Sequence, residues 1–318
     1  MKRDIINESI LVVGANGALA KETIKQLLHD GATKITMACR TATKGEEAKE
    51  EILNEFGKKD HVELSVIGGF DMTNPLMIEK AIQELPSDKP FDIIFLAAGF
   101  AVFTDGYQAV NWKGKKVEKN VFQNMVGSHL TFLGLKKAGL IAKGARVVLA
   151  GGEGSRGIKG MIESPNFTSA QELRDYIYLN DAPKYNPMNA IGVSKFCGAL
   201  WTSKISELEK NNMEIIWFSP GLTSGSSGLK TLPPVKRWFM NNIMFGILGL
   251  MGQSQSPSEG GRKNADCLEG KIGANGNLLG APAGKSIGKI TDQTPLNPLF
   301  SNQDMIDEFW SILGELMK

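Results

Sequence analysis

A glycine-rich segment near the N-terminus has the residue types that bind a phosphate group. The sequence GANGALA follows the apolar run SILVV and precedes an amphipathic helical pattern. Gly14 permits a tight turn, Gly17 lets the backbone approach a pyrophosphate, and Ala20 lets a helix pack closely on a strand. The helix N-terminus then faces the anion. The residues expected to contact a dinucleotide here are Gly14, Asn16, Gly17, Ala18 and Leu19.

The residue after the second apolar run selects between nicotinamide cofactors. An acidic residue there would bind the ribose hydroxyls of NAD, but this chain has Arg40. A guanidinium suits a 2′-phosphate and therefore NADPH, although a solvated arginine at the start of a helix would give the same sequence. Asp71 follows the third apolar run. It is expected to accept a hydrogen bond from the adenine amine or, alternatively, to cap the next helix.

Alternating strand and helix patterns position these residues. The predicted strands are 9–14, 34–39, 61–67, 91–97, 145–150 and 214–218, with a possible short strand within 278–290. The predicted helices are 18–29, 43–56, 75–85, 116–137, 170–179, 189–210, 230–251, 256–269 and 304–317. This alternation predicts an α/β fold with a Rossmann-type, doubly wound parallel sheet. We expect a single domain, 1–318, with an insert at 152–187 and a lid and C-terminal extension at 222–318.

Composition excludes several classes of protein. The 318 residues are 42% hydrophobic and 22% charged, which is enough apolar material for a packed core. A net charge of +2 argues against a nucleic-acid-binding protein. Three cysteines without a CxxC pair argue against a zinc cluster or a disulfide scaffold, and we expect no metal. The N-terminus is a poor signal peptide, and the apolar segment Trp238–Met251 is shorter than the ~20 residues that span a bilayer. We therefore expect a cytoplasmic protein.

Several further motifs resemble those of one family. They are LAAG at 96–99, Asn124 within FQNMVGSHL, Ser194-Lys195, and Ser219-Pro220-Gly221 after the sixth strand. Together with the glycine loop, they make nearly the whole chain similar to the short-chain dehydrogenases/reductases. ACRTATKGEEA and the long C-terminal extension look most like the branch of protochlorophyllide reductases and retinol dehydrogenases, which implies NADPH and a large apolar substrate. The cofactor contacts expected in addition are Met72, Ala97, Ala98, Gly99, Lys195, Pro220, Gly221 and Thr223.

The resemblance also identifies the expected catalytic positions. The family has a tyrosine four residues before the lysine, and a serine just after the fifth strand. In this chain those positions are Ile191 and Gly152, whereas Asn124 and Lys195 are retained. Two groups could replace the missing hydroxyls, Ser155 and Tyr185, and for each the alternative is an ordinary structural role. Glu153, beside Gly152, is a further candidate acid/base group.

These observations leave three functions open. The first is an NADPH-dependent reductase of a carbonyl or activated double bond in a large apolar substrate, with the proton from a relocated group or from water on an Asn124–Lys195 relay. The second is an NADPH-binding sensor or scaffold without redox activity. The third is a non-redox isomerase, lyase or cyclase.

Two expectations concern partners. Trp238–Met251 is a candidate pocket for the hydrophobic substrate, a face that touches a membrane or a partner, or a packed helix. The helices predicted at 116–137 and 189–210 pair in similar proteins, so we expect a homo-oligomer, a dimer or tetramer.

Overall fold

The computed structural model describes residues 3–57, 61–86, 89–224 and 253–318. Its strands are β1 (Ser9–Val13), β2 (Lys34–Ala38), β3 (Glu63–Ile67), β4 (Phe91–Leu96), β5 (Ala109–Trp112), β6 (Lys115–Glu118), β7 (Ile141–Ala150), β8 (Met213–Phe218), β9 (Leu278–Gly280) and β10 (Thr291–Asp292). Within the described ranges, eight of them form one sheet in the order β3-β2-β1-β4-β7-β8-β9-β10. Every pairing in that sheet is parallel except that of β9 with β10.

Helices connect these strands. They are α1 (Ala18–His29), α2 (Ala42–Phe56), α3 (Pro75–Gln83), α4 (Lys119–Val121), α5 (Gly127–Lys137), α6 (Ala170–Tyr178), α7 (Pro187–Leu208), α8 (Pro257–Leu268) and α9 (Gln303–Met317), with a π-helical turn at Phe122–Val126 between α4 and α5. Side chains of the preceding residues cap many of the helix N-termini. Thr41 caps α2 and Asn186 caps α7, while Ser256 and Glu259 form a capping box on α8.

Helices cover both faces of the sheet. On one face α1, α2 and α8 contribute buried residues such as Ile24, Ile52 and Leu268. On the other, α3, α5, α7 and α9 bury residues including Phe132 and Leu200. All five residues of β1 are buried, which explains why the central strands are continuous apolar runs and not alternating ones. The predicted doubly wound, Rossmann-type sheet is confirmed.

The helix predicted at 116–137 is partly wrong. Lys115–Glu118 is strand β6, which forms an antiparallel hairpin with β5, and the helix begins only at Lys119. The turn between these strands places Lys113 at φ 51° and Gly114 at φ 73°, the left-handed geometry that matches strand twist in a two-residue hairpin. Lysine is uncommon at such a φ, so no residue pattern predicts this turn.

Other differences are small. β7 begins at Ile141, four residues before the predicted start, and the insert 152–187 holds α6 and a 3₁₀ turn at Glu153–Arg156. The helix predicted at 230–251 lies outside the described residues. Among the helices that are described, none combines the length and apolar character needed to cross a membrane.

Candidate cofactor and active site

The glycine loop after β1 lies directly against the end of β4. Gly14 has a φ of +84°, and a Cβ atom at this position would lie 2.7 Å from Cα and 2.8 Å from N of Ala98. Only glycine satisfies both the left-handed backbone and this close approach. The carboxyl ends of the two neighbouring strands therefore meet at Gly14, where an α/β sheet binds its ligand.

The N-terminus of α1 completes an anion cradle. Gly17 is the N-cap residue and supplies no side-chain hydrogen bond to the first turn. Leu19 and Thr223 both lie against Gly260 of α8, where a Cβ atom would be 2.9 Å from Leu19 Cδ1 and 2.8 Å from Thr223 Oγ1. The loops after β1, β4 and β8 are thus brought together around one helix N-terminus, which fits a pyrophosphate.

Arg40 and Asp71 follow strands β2 and β3, as the sequence pattern predicts. Arg40 is exposed, and its guanidinium makes no hydrogen bond or ion pair with any other residue that the structure describes. Asp71 does not cap α3, because that cap is Asn74, whose side chain accepts from the Met77 N–H at 3.3 Å. Asp71 Oδ1 instead accepts from the N–H and hydroxyl of Thr73, at 2.9 and 2.7 Å. The alternative prediction, that Asp71 caps the next helix, is therefore wrong.

Asn124 and Lys195 converge at the end of β4. A Cβ atom on Gly99 would lie 2.2 Å from Asn124 Oδ1 and 3.5 Å from Lys195 Nζ. Asn124 sits in the π-helical turn and its Nδ2 donates to the carbonyls of Asn120 and Phe100, at 2.8 and 3.1 Å. Its Oδ1 is buried and accepts no hydrogen bond from the described residues. A buried acceptor without a donor marks a place for water or a ligand.

Lys195 is held on α7 by contacts on both sides. Its Nζ donates to the Ala150 carbonyl at the end of β7, at 2.8 Å, and burial lowers the pKa of Lys195 to about 8. Beneath it, Trp217 Nε1 donates to the Lys195 carbonyl at 3.2 Å. The Trp217 indole occupies space that a side chain at Gly151 would need, since a Cβ atom there would be 2.5 Å from the ring.

The positions of the expected tyrosine and serine both adjoin Lys195. Gly152 has extended backbone that any residue can adopt, and a Cβ atom there would lie 3.2 Å from Lys195 Cγ. Ile191 lies one helical turn before Lys195 on α7. The next residue, Gly192, packs against the insert, where its Cβ atom would be 3.0 Å from Ile162 Cγ2. Neither position offers a hydroxyl.

The two candidate replacements are placed differently from Asn124 and Lys195. The Tyr185 hydroxyl donates to the Val102 carbonyl and accepts from Asn120 Nδ2 at 3.5 Å, and burial raises its pKa. Ser155 is fully buried in the 3₁₀ turn, and its Oγ has no hydrogen-bond partner among the described residues. The described contacts include no hydrogen bond from either side chain to Asn124 or Lys195.

The side chains that hold the loop after β4 were not predicted from the sequence. Asn120 Oδ1 accepts from the Val102 N–H at 2.9 Å, and Gln123 Nε2 donates to the Phe100 carbonyl at 2.7 Å. The available signal was three amide side chains at i, i+3 and i+4 in an otherwise apolar helical run, which places them on one helix face.

Comparisons with known proteins agree with this architecture. The KR domain matches residues 9–106. The chain is 27% identical to a short chain dehydrogenase of Arthrobotrys oligospora. The alignment spans 283 residues and covers 86% of this chain and 82% of that protein.

Two solved structures share the fold. One is a putative uncharacterized protein from Mycobacterium Paratuberculosis, with a TM-score of 0.65, 16% identity, and 99% and 95% of the two chains covered. The other is the NADPH-Dependent 3-Quinuclidinone Reductase from Rhodotorula Rubra, with a TM-score of 0.58, 14% identity, and 86% and 88% covered. The chain is thus similar to the KR domain over part of its length and to a short chain dehydrogenase over most of it, and it shares its fold with the two solved structures.

Proposed function

We propose that the chain is an NADPH-dependent reductase of a carbonyl or an activated double bond in a large apolar substrate. The observation that carries this proposal is the convergence of Asn124 Oδ1 and Lys195 Nζ on Gly99, beside the glycine loop at the start of α1. A cofactor-binding cradle and a polar pair at the next strand end are the two parts that such a reductase needs.

The preference for NADPH rests on Arg40. Its exposed guanidinium has no partner in the described part of the chain, so it is available to a 2′-phosphate. Neighbouring Thr41 is engaged in capping α2, with its hydroxyl accepting from the Lys44 N–H at 3.4 Å. No acidic side chain occupies the end of β2, where the ribose of NAD would need one.

The chain's own residues supply orientation and a proton. Once bound, the cofactor would provide a hydride from nicotinamide C4. Lys195 would hold ribose hydroxyls with Nζ protons not used by the Ala150 carbonyl. The unpartnered Asn124 Oδ1 fits a water molecule beside Nζ, and the lowered pKa of Lys195 suits proton exchange near pH 8.

We favour this relay over a relocated hydroxyl. Tyr185 already donates its proton to the Val102 carbonyl, and Ser155 is fully buried. The apolar substrate rests on the family resemblance and on Trp238–Met251, which lies outside the described residues.

An NADPH-binding protein without redox activity is the second candidate. It is favoured by one observation, that Ile191 and Gly152 leave no hydroxyl at the two positions next to Lys195. The experiment that separates the candidates is NADPH consumption by the wild type with a panel of hydrophobic ketones and enones, with Lys195→Met as the control. Consumption that disappears in Lys195→Met supports the reductase, whereas binding of NADPH without consumption on any substrate supports the alternative.

A further inference from the structure

Glu153 is a buried carboxylate that the proposed chemistry does not use. It lies in the 3₁₀ turn after β7, and only 5% of it is exposed. Its Oε2 accepts from the Ser219 hydroxyl after β8 at 2.7 Å, and its Oε1 accepts from the Ala281 N–H after β9 at 3.1 Å. One side chain therefore joins the carboxyl ends of three neighbouring strands.

The cations near Glu153 are engaged with other groups. Arg156 donates through Nε to Gln293 Oε1 at 2.6 Å. Burial lowers the pKa of Arg156, and the charge of Glu153 offsets only part of this shift. Lys263 donates to Gln255 Oε1 at 2.6 Å and to the Pro220 carbonyl at 3.3 Å. Both carboxylate oxygens of Glu153 accept hydrogen bonds from loop residues, Ser219 and Ala281, and not from these cations. This placement argues against Glu153 as the acid/base group.

The Ser219 side chain that binds Glu153 also holds the turn that follows it. Its Oγ also accepts from the Gly221 N–H at 3.4 Å, so the hydroxyl that binds Glu153 also spans the turn. Leu222 N–H donates to the Ser286 carbonyl at 2.7 Å, which holds the far side. This turn adjoins the end of β7, where Gly152 and the Ala150 carbonyl contact Lys195.

We infer that Glu153 is a positioning residue, which fixes the Ser219–Gly221 turn relative to Lys195 so that the nicotinamide half of the cofactor binds in a defined place. The inference rests on the proposed function. Because the glycine loop follows β1 and Arg40 follows β2, on the other side of β4 from Glu153, the adenosine half of the cofactor would bind away from Glu153.

The test compares two ligands that differ in the nicotinamide half. NADPH and 2′,5′-ADP are titrated into the full-length wild type, Glu153→Ala, Glu153→Gln and Ser219→Ala. In Glu153→Ala and Ser219→Ala we expect the Kd of NADPH to rise about tenfold while that of 2′,5′-ADP stays within about twofold, because both variants lose the charge-assisted Glu153–Ser219 hydrogen bond, and Glu153→Ala also loses the bond from the Ala281 N–H. Glu153→Gln should restore most of the NADPH affinity, since its carbonyl can still accept from Ala281 and its amide can reach Ser219.

Glu163→Ala is the matched control. Glu163 is exposed in the insert and accepts from Asn189 Nδ2 at 2.9 Å, and the affinity for neither ligand should change. Unchanged NADPH affinity in Ser219→Ala, or equal weakening of both ligands, would overturn the inference even if Glu153→Ala fails to fold. A wild type that binds neither ligand would overturn the proposed function, and this inference with it.

Discussion

Asn124 and Lys195 are brought together by small residues around them. Gly99 leaves the space in which Asn124 Oδ1 lies, since a Cβ atom would be 2.2 Å from that oxygen. Gly151 makes room for the Trp217 indole, which supports α7 beneath Lys195. The polar pair therefore depends on close approaches of side chains to Gly99 and Gly151 that a Cβ atom at either position would disturb.

Arg40 should determine the choice of cofactor. Arg40→Ala should weaken NADPH binding by about tenfold or more and leave NADH binding nearly unchanged, because only NADPH carries the 2′-phosphate. Lys210→Ala removes one positive charge from an exposed residue beyond α7 and serves as the control. Fluorescence titration of both cofactors measures this, and an equal effect of Arg40→Ala on the two would contradict the assignment.

The residues at 152 and 191 should limit the rate. Replacing both, as Gly152→Ser with Ile191→Tyr, places a hydroxyl beside the Lys195 stem and a phenol one helical turn away. General acid catalysis contributes roughly 10²–10⁴-fold, so NADPH consumption with simple ketones should rise by at least about tenfold. Adding Lys195→Met to this double variant should remove the increase in NADPH consumption. Retained NADPH binding with no increase in rate would contradict the explanation.

At the scale of elements, periodicity located most strands and helices because their burial follows simple rules. The central strands are buried on both faces, and α1 and α9 keep one apolar side. The β5–β6 hairpin was missed because its turn uses Lys113, whose positive φ is imposed by strand pairing and not by its own preference. Contacts between distant segments, such as Glu153 with Ser219, leave no local pattern to read.

Arg146 on β7 should contribute strongly to stability. Its guanidinium is 2% exposed, donates to Glu214 at 2.6 Å, and donates to the carbonyls of Cys267 and Ile272, both at 2.6 Å. Arg146→Met removes the donor of the Cys267 and Ile272 carbonyls, whereas the Glu214 carboxylate is 42% exposed and can bind water, so the free energy of unfolding should fall by about 2 kcal/mol or more.

An exposed ion pair gives the comparison for Arg146. Lys204 binds Asp307 at 2.7 Å on the surface, and Lys204→Met should cost less than about 1 kcal/mol. Urea unfolding measures both variants, and similar losses for the two would show that the Arg146 contacts are not important for stability.

At the scale of the whole molecule, the buried His129 should make stability depend on pH. Its Nδ1 accepts from Trp201 Nε1 at 3.0 Å, and burial lowers its pKa from 6.5 to about 4. The unfolded chain then binds a proton more readily than the folded chain between these values. Stability should be complete above pH 6.5 and fall by about 3 kcal/mol as the pH drops to 4.

Two histidine variants check this pH dependence. His129→Gln should flatten the fall, whereas His61→Gln, at an exposed position, should keep it. Urea unfolding between pH 4 and 7 provides the measurement, and an unchanged slope in His129→Gln would contradict the assignment. A single unfolding transition would also agree with the single domain that the sequence predicts.

The cofactor side of the site was more predictable than the catalytic side. Gly14 and Arg40 lie at strand ends that the sequence pattern locates directly, and the structure places them there. Tyr185 and Ser155 could not be placed in advance, because the insert that carries them folds against distant loops. The Asn124–Lys195 pair was found only because its motif is similar to that of a family.

The most direct test of the central claim is calorimetric titration of NADPH and NADH into the wild-type protein. The arrangement of Arg40, the glycine loop and Lys195 predicts that NADPH binds with one site per chain, and about tenfold or more tighter than NADH. Tighter binding of NADH, or no binding of either cofactor, would contradict it.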